Sequence, residues 1–175
     1  MDAAPFLIEV GRALSAVSLD AVLIGNAGAA LQGAPVTTVD FDFLFRKTPR
    51  NLQKLKRFAA RLGATVLRPY YPVSDLFRVV RDDGLQVDFM GTVHGIRSFE
   101  GVRARATMVD LEHTAIAVAS LADIIRSKRA AGRPRDLAVV EVLEKTHAQA
   151  QREAAAGAAA GKTDRARARK RPRAR

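Results

Sequence analysis

Residues 25–45 read GNAGAALQGAPVTTVDFDFLF, and the end of this stretch decides the fold. From Val39 onward the chain alternates. Val39, Phe41, Phe43 and Phe45 fall on one side, Asp40 and Asp42 on the other. A period of two is the period of a β-strand, in which residues i and i+2 share a face. The pattern predicts a strand over 39–45 with an apolar aromatic face and two carboxylates side by side, their backbones about 6–7 Å apart. Carboxylates held so close repel each other unless a counter-charge joins them. A divalent cation does this, and hard oxygen donors suit magnesium. Taken alone, Asp-x-Asp also fits two solvated acids on an exposed strand face. Support comes from GLQVDFMG at 84–91, where Asp88 stands between Val87 and Phe89. Aspartate is depleted in strands, so three of them in two hydrophobic strands ask for a reason.

Just upstream, AVLIG at 21–25 is a short apolar run ending in glycine, the mark of a buried strand. NAGAALQG at 26–33 fits a short helix of small residues. A strand, a glycine turn and a helix present backbone N–H groups to an anion. Gly25 precedes Asp40 by 15 residues. A phosphate cradle followed by a metal-binding pair is the layout a nucleotide–magnesium site needs.

Further out, Phe6, Val10, Leu14 and Val17 recur about one turn apart and predict a helix over 5–17. RNLQKLKRFAARL at 50–62 predicts a basic helix closed by Gly63. Residues 64–68, 76–81 and 84–90 predict strands, the last two joined by a tight turn at Asp83-Gly84. Two short strands are expected at 102–109 and 113–118. Ser120 and Asp123 form an approximate capping box before a helix over 121–130. Gly132-Arg133-Pro134 separates it from a second helix over 135–147. Mixed helices and strands around a hairpin predict an α/β (α+β) fold, a small mixed β-sheet flanked by helices and closed by a C-terminal helical pair.

The 175 residues suit one domain with a small appendage, and 48% apolar content supports a core. Cysteine is absent, which excludes disulfide scaffolds, thiol catalysis and cysteine zinc sites. The three histidines, His94, His113 and His147, are too dispersed to suggest a metal site. No apolar run approaches a membrane span, and the N-terminus lacks a basic leader. A cytoplasmic protein with no membrane partner is expected. The net charge is +11, but residues 162–175 carry eight basic residues and one acid. The other 161 residues carry 21 basic and 17 acidic, a net of +4. The expected organisation is a domain over 1–147 and an Ala/Arg-rich basic tail over 148–175. The tail's alanine run can extend the last helix. Its arginine-rich end is expected to be disordered, since it cannot offset its ordering entropy by burial.

GN-x13-DFDFLF followed by VDFMG resembles the minimal nucleotidyltransferases of the DNA polymerase beta superfamily. Their pattern is Gly-Gly or Gly-Ser, a spacer, Asp-x-Asp/Glu, then a third acid on a later strand. IGNAGAALQGAPVTTVDFDFLF is similar to AbiEii-like and related stand-alone bacterial branches. SLADIIRSKRAAGRPRDLAVVEVL at 120–143 resembles the segment that closes many of these domains. The resemblance spans roughly residues 20–145. It implies transfer of a nucleoside monophosphate from a nucleoside triphosphate, with ATP the expected one, and release of pyrophosphate. It implies Asp40, Asp42 and Asp88 as catalytic ligands of one or two magnesium ions, Asp88 also serving as general base. Gly25 and Asn26 would hold the triphosphate, while Thr38 would add a hydroxyl contact or simply form the turn. RNA, a protein side chain and a small hydroxylated molecule are all open as acceptors. Many stand-alone members resemble toxin–antitoxin components, which implies a protein partner. The alternative is a catalytically inactive nucleotide- or RNA-binding module of the same fold. Asn26 departs from the usual Ser or Gly, and Val139 and Val140 stand where related sequences often carry another acid.

Lys128 shares the inward stripe of its helix with Leu121 and Ile124, so it calls for an anion. A nucleotide phosphate and the carboxylate of Asp136 both qualify. Arg133 has the same two options, with the structural pair favoured. Arg46, Lys47, Arg50, Lys54, Lys56, Arg57 and Arg61 are either a solvated face or an electrostatic track for an RNA acceptor. The tail is a second candidate for contact with nucleic-acid phosphates.

Overall fold

Phe41, Phe43 and Phe45 are all buried, as the alternation requires. The computed structural model describes residues 4–38, 40–69 and 75–169, with side chains as far as Gly157. The elements are α1 (Ala4–Val17), β1 (Ala21–Ile24), α2 (Gly25–Ala30), β2 (Phe41–Phe45), α3 (Pro49–Arg61), β3 (Thr65–Leu67) and β4 (Leu76–Val80). They continue with β5 (Gln86–Met90), α4 (Phe99–Arg105), β6 (Thr107–Leu111), β7 (Thr114–Val118), α5 (Leu121–Ala131) and α6 (Pro134–Arg169). The strands form one mixed sheet in the order β3-β4-β5-β2-β1-β7-β6. Central β2 runs antiparallel to β1 and parallel to β5. Two antiparallel hairpins, β4–β5 and β6–β7, lie to either side. The expected fold class holds.

Each face of the sheet has its own helical cover. Leu7, Val10 and Leu14 of α1 and Leu55 and Phe58 of α3 pack on the aromatic face with Phe43, Phe45 and Phe89. Phe43 stacks on Phe89 with ring centres 5.4 Å apart. Phe45 and Phe58 meet Phe89 edge-on at 5.8 and 5.2 Å. Each buried phenylalanine contributes about 1.5–3 kcal/mol of transfer free energy, and together they stiffen β2 and β5 from behind. On the other face Val22, Ile24 and Leu44 pack against Ala29, Phe99, Val102, Ile124 and Leu143, which belong to α2, α4, α5 and α6.

The structure differs from the sequence reading in three places. The strand expected over 39–45 begins at Phe41, with Asp40 in a bend before it, and Val39 lies outside the described residues. The strand expected over 102–109 is overturned at its start. Residues 99–105 form α4, because Ser98 caps it by accepting the Gly101 N–H and because Phe99 and Val102 bury one side of the turn. The strand itself is β6, two residues longer at its far end than expected. The alanine run extends the last helix, as the sequence allows, with 149–157 exposed, but the helix also takes in 162–169, the start of the arginine-rich end expected to be disordered. The last residues of the basic tail, 170–175, lie outside the described residues. No helix among the described residues is long and apolar enough to cross a membrane.

Candidate functional site

Strand register assembles the site. Asp42 of β2 pairs with Ile24 of β1 on one side and Asp88 of β5 on the other, and Asp88 pairs with Arg78 of β4. Residues in register share a face, so these four form one row across the sheet on the side covered by α2 and α5. Asp40 joins them from the entry of β2. One oxygen from each of Asp40, Asp42 and Asp88 lies within 4.8 Å of the others. Asp88 is buried and the other two are half-buried. The sequence reading thus placed three acids that the fold brings to one point.

The loop ahead of β2 holds this arrangement. Thr38 Oγ1 donates to the Asp40 carbonyl oxygen at 2.7 Å and lies 3.3 Å from Asp40 Oδ1. Gly25 turns the chain from β1 into α2 at φ +66°, and a Cβ there would stand 2.5 Å from Asp42 Oδ2. Only glycine tolerates both the left-handed backbone and the contact. Asn26 Nδ2 donates to the Thr37 carbonyl at 3.1 Å, tying the start of α2 to the loop. Its Oδ1 is buried without a hydrogen-bond partner among the described residues.

The cations come from the α5–α6 junction. Ser120 caps α5, its Oγ accepting the Asp123 N–H. Gly132 ends α5 in the left-handed region at φ +64° and lets the chain double back into α6. Buried Lys128 reaches Asp136 Oδ1 at 3.3 Å, and Arg133 Nε donates to Asp136 Oδ2 at 2.5 Å. Both therefore make the internal pair. Burial pushes Asp136 up, but the Arg133 hydrogen bond and the charges of Lys128 and Arg133 outweigh it and hold it below the usual carboxylate range. The same two cations act on the acid cluster. Burial pushes the Asp42 carboxyl up to about 7, the charges of Asp40 and Asp88 add to the rise, and Lys128 and Arg133 oppose it.

Arg78 is the residue the sequence reading missed. Its Nε and Nη2 donate to Asp88 Oδ1 and Oδ2 at 2.8 and 2.7 Å. The signal was present: Arg78 and Asp88 each lie five residues from Asp83, so a hairpin centred on Asp83 sets them opposite each other. The basic helix, in contrast, stands on the other layer. α3 packs through Leu55 and Phe58 on the aromatic face, with the sheet between it and Asp42.

The donor set fits a metal ion. Three close carboxylates supply hard oxygens alone, and a carboxylate has lone pairs to spare beyond a bidentate guanidinium contact. A divalent cation would offset both the burial and the repulsion that lift Asp42.

This fold is that of the minimal nucleotidyltransferases. The antibiotic-resistance factor ANT(2'')-Ia superposes with a TM-score of 0.57 at 12% identity, over 91% of this chain and 97% of its own. The lincosamide antibiotic adenylyltransferase LnuA, solved with lincomycin bound, gives 0.59 at 11% identity over 83% of this chain and 98% of its own. A provisionally assigned nucleotidyltransferase of Thermotoga maritima gives 0.54 at 21% identity, over 81% of this chain and 89% of its own. ANT(2'')-Ia has also been solved with adenylyl-2''-tobramycin, and that structure gives 0.57 at 13% identity over 86% and 97%. No protein-family model matches the chain, and no curated protein matches it by sequence. At these identities the likeness is one of fold.

Proposed function

We propose that this chain is a magnesium-dependent nucleotidyltransferase that moves a nucleoside monophosphate, AMP first, from its triphosphate to a hydroxyl of a small molecule. The observation that carries this reading is the convergence of Asp40, Asp42 and Asp88 within 4.8 Å, two of them in register on adjacent strands and the third at the entry of β2. The acceptor class is taken from two proteins of the same fold, the lincosamide antibiotic adenylyltransferase LnuA and the antibiotic-resistance factor ANT(2'')-Ia, solved with adenylyl-2''-tobramycin. RNA and protein side chains are the other acceptors to test. Pairing with a toxin–antitoxin partner rests on the sequence resemblance, not on the site.

Asp40 and Asp42 would hold the metal, with Asp88 as third ligand, and the ion would offset phosphate charge during transfer. Gly25 lets the chain pass close over Asp42, and Asn26 offers an unsatisfied acceptor beside the same turn. Lys128 and Arg133, close enough to act on Asp42, supply positive charge for phosphate oxygens. In the reaction the acceptor oxygen attacks the α-phosphorus, the bond to pyrophosphate breaks, and the hydroxyl proton passes to a base. For Asp88 to take that proton, as the resemblance implies, Arg78 must release one of its two oxygens. A binding module without catalysis is favoured by that clamp and by Asn26, whose amide is already engaged by Thr37.

Incubation with magnesium and each α-labelled triphosphate, with small hydroxylated compounds, RNA and cell extract supplied in turn, tests the reading. Label transferred by the wild type and lost in the Asp40→Asn, Asp42→Asn variant supports it. Nucleotide binding without transfer to any acceptor moves the assignment to the binding module.

A further inference from the structure

Outside the carboxylate site, α3 and the segments beside it carry a dense run of basic residues. Between Asp42 and Asp75 the chain holds eight basic residues and no acid. Three of these are used within the fold: Arg46 pairs with Glu100, Lys47 with Asp75, and Arg68 lies over Phe77. Arg50, Lys54, Arg57 and Arg61 instead line one groove of about 650 Å³, whose other wall includes residues 16–18 at the end of α1. Lys54 Nζ donates to the Ser18 carbonyl at 2.5 Å and ties the two walls together. Arg50, Arg57 and Arg61 are exposed and make no ion pair among the described residues. Their spacing of seven and then four residues places them with Lys54 on one side of the helix, successive members about 5–6 Å apart. Like charges so placed destabilise a helix, and no acidic side chain lines the groove to relieve them.

A regular row of cations matches a regular row of phosphates. The groove holds no aromatic side chain on which an unpaired base could stack. It holds no amide side chain to read adenine and no carboxylate to read cytosine. Ser18 carries its sole hydroxyl, so it offers little to select for ribose. We propose that this groove docks the phosphate backbone of double-stranded DNA. The sheet separates the groove from Asp42 and Asp88, so DNA held there is an anchor and not the acceptor. Docking is independent of the transferase reading.

The test uses the full chain and a labelled DNA duplex, with affinity followed from about 50 to 200 mM salt. The C-terminal basic residues act alike in wild type and variant, so the difference reports the groove. Replacing Arg50, Arg57 and Arg61 together by Gln is expected to reduce the magnitude of the log–log salt slope by about 3, at about 0.9 per lost phosphate contact. Lys56→Gln, on the same helix but off the groove, is expected to leave the slope almost unchanged. Asp40→Asn with Asp42→Asn is expected to leave DNA binding intact, which separates this site from the transfer reaction. Circular dichroism checks the fold. If the triple variant does not fold, Arg57→Gln alone decides, with an expected change of about 1. An unchanged slope in a folded variant overturns the proposal, as does tighter binding of single-stranded DNA or of an RNA duplex.

Discussion

Asp42 sits half-buried between two other acids, with its carboxyl pushed up to about 7. The sign of the consequence follows from linkage. An aspartate raised in the folded state binds its proton more tightly there than in the unfolded chain. Stability from this group is full below the ordinary carboxylate range and is lost as pH rises from about 4 through 7. Asp42→Asn removes the penalty, so without metal the variant should be more stable than wild type by about 4 kcal/mol at pH 8. That advantage should vanish near pH 4, and urea unfolding at the two pH values measures it. An advantage equal at both would show that Asp42 is not perturbed. Gly25→Ala makes a complementary test, because its Cβ would stand 2.5 Å from Asp42 Oδ2. It should cost about 1–3 kcal/mol through backbone strain and displacement of the carboxylate, and weaken Mn2+ binding measured calorimetrically.

Individual elements bring isolated residues into working pairs. The β4–β5 hairpin sets Arg78 against Asp88, and the pair is buried on the Asp88 side with Arg78 about one-third exposed. Removing one partner of a buried pair leaves a charge unmatched. Arg78→Met should therefore destabilise the protein by about 2–3 kcal/mol, less than a fully buried pair would. Adding Asp88→Asn should recover much of that loss, and thermal unfolding of the four members of the double-mutant cycle measures the coupling. Additive losses would show the pair to be incidental. At the α5 start, Ser120→Ala removes the cap for Asp123 N–H and should cost about 1 kcal/mol, measured by the same unfolding. Buried Asp123 keeps Arg105 and Arg126 as partners, so the helix should persist.

Across the whole molecule the sheet separates two chemistries. Its aromatic face is backed by α1 and α3, and its other face carries the acids beneath α2 and α5. A cation that binds only the folded cluster must stabilise the entire cooperative unit. At about 100 times its dissociation constant that gain is near 2.7 kcal/mol. Mg2+ or Mn2+ should raise the melting temperature of wild type. The Asp40→Asn, Asp42→Asn variant should show no such rise, because the carboxylates that draw the ion are gone. An equal rise in both would place the ion elsewhere.

Much of this was legible in the residues themselves. The alternation from Phe41 to Phe45 determined which side chains face the aromatic core and which the site, because strand geometry has a period of two. Asp83-Gly84 and the patterns beside it determined the hairpin, and Gly132-Arg133-Pro134 the break between α5 and α6. α4 was missed because its seven residues span too few turns to show a helical period. Other features depended on contacts distant in sequence. β2 pairs with β5 more than 40 residues away, and that register alone sets Asp88 beside Asp42. The choice of Lys128 for Asp136, and the position of the basic helix behind the sheet, were likewise decided by packing. Local sequence specifies the period and the ends of an element; only burial of both sheet faces selects which elements meet, and therefore which charges share a site.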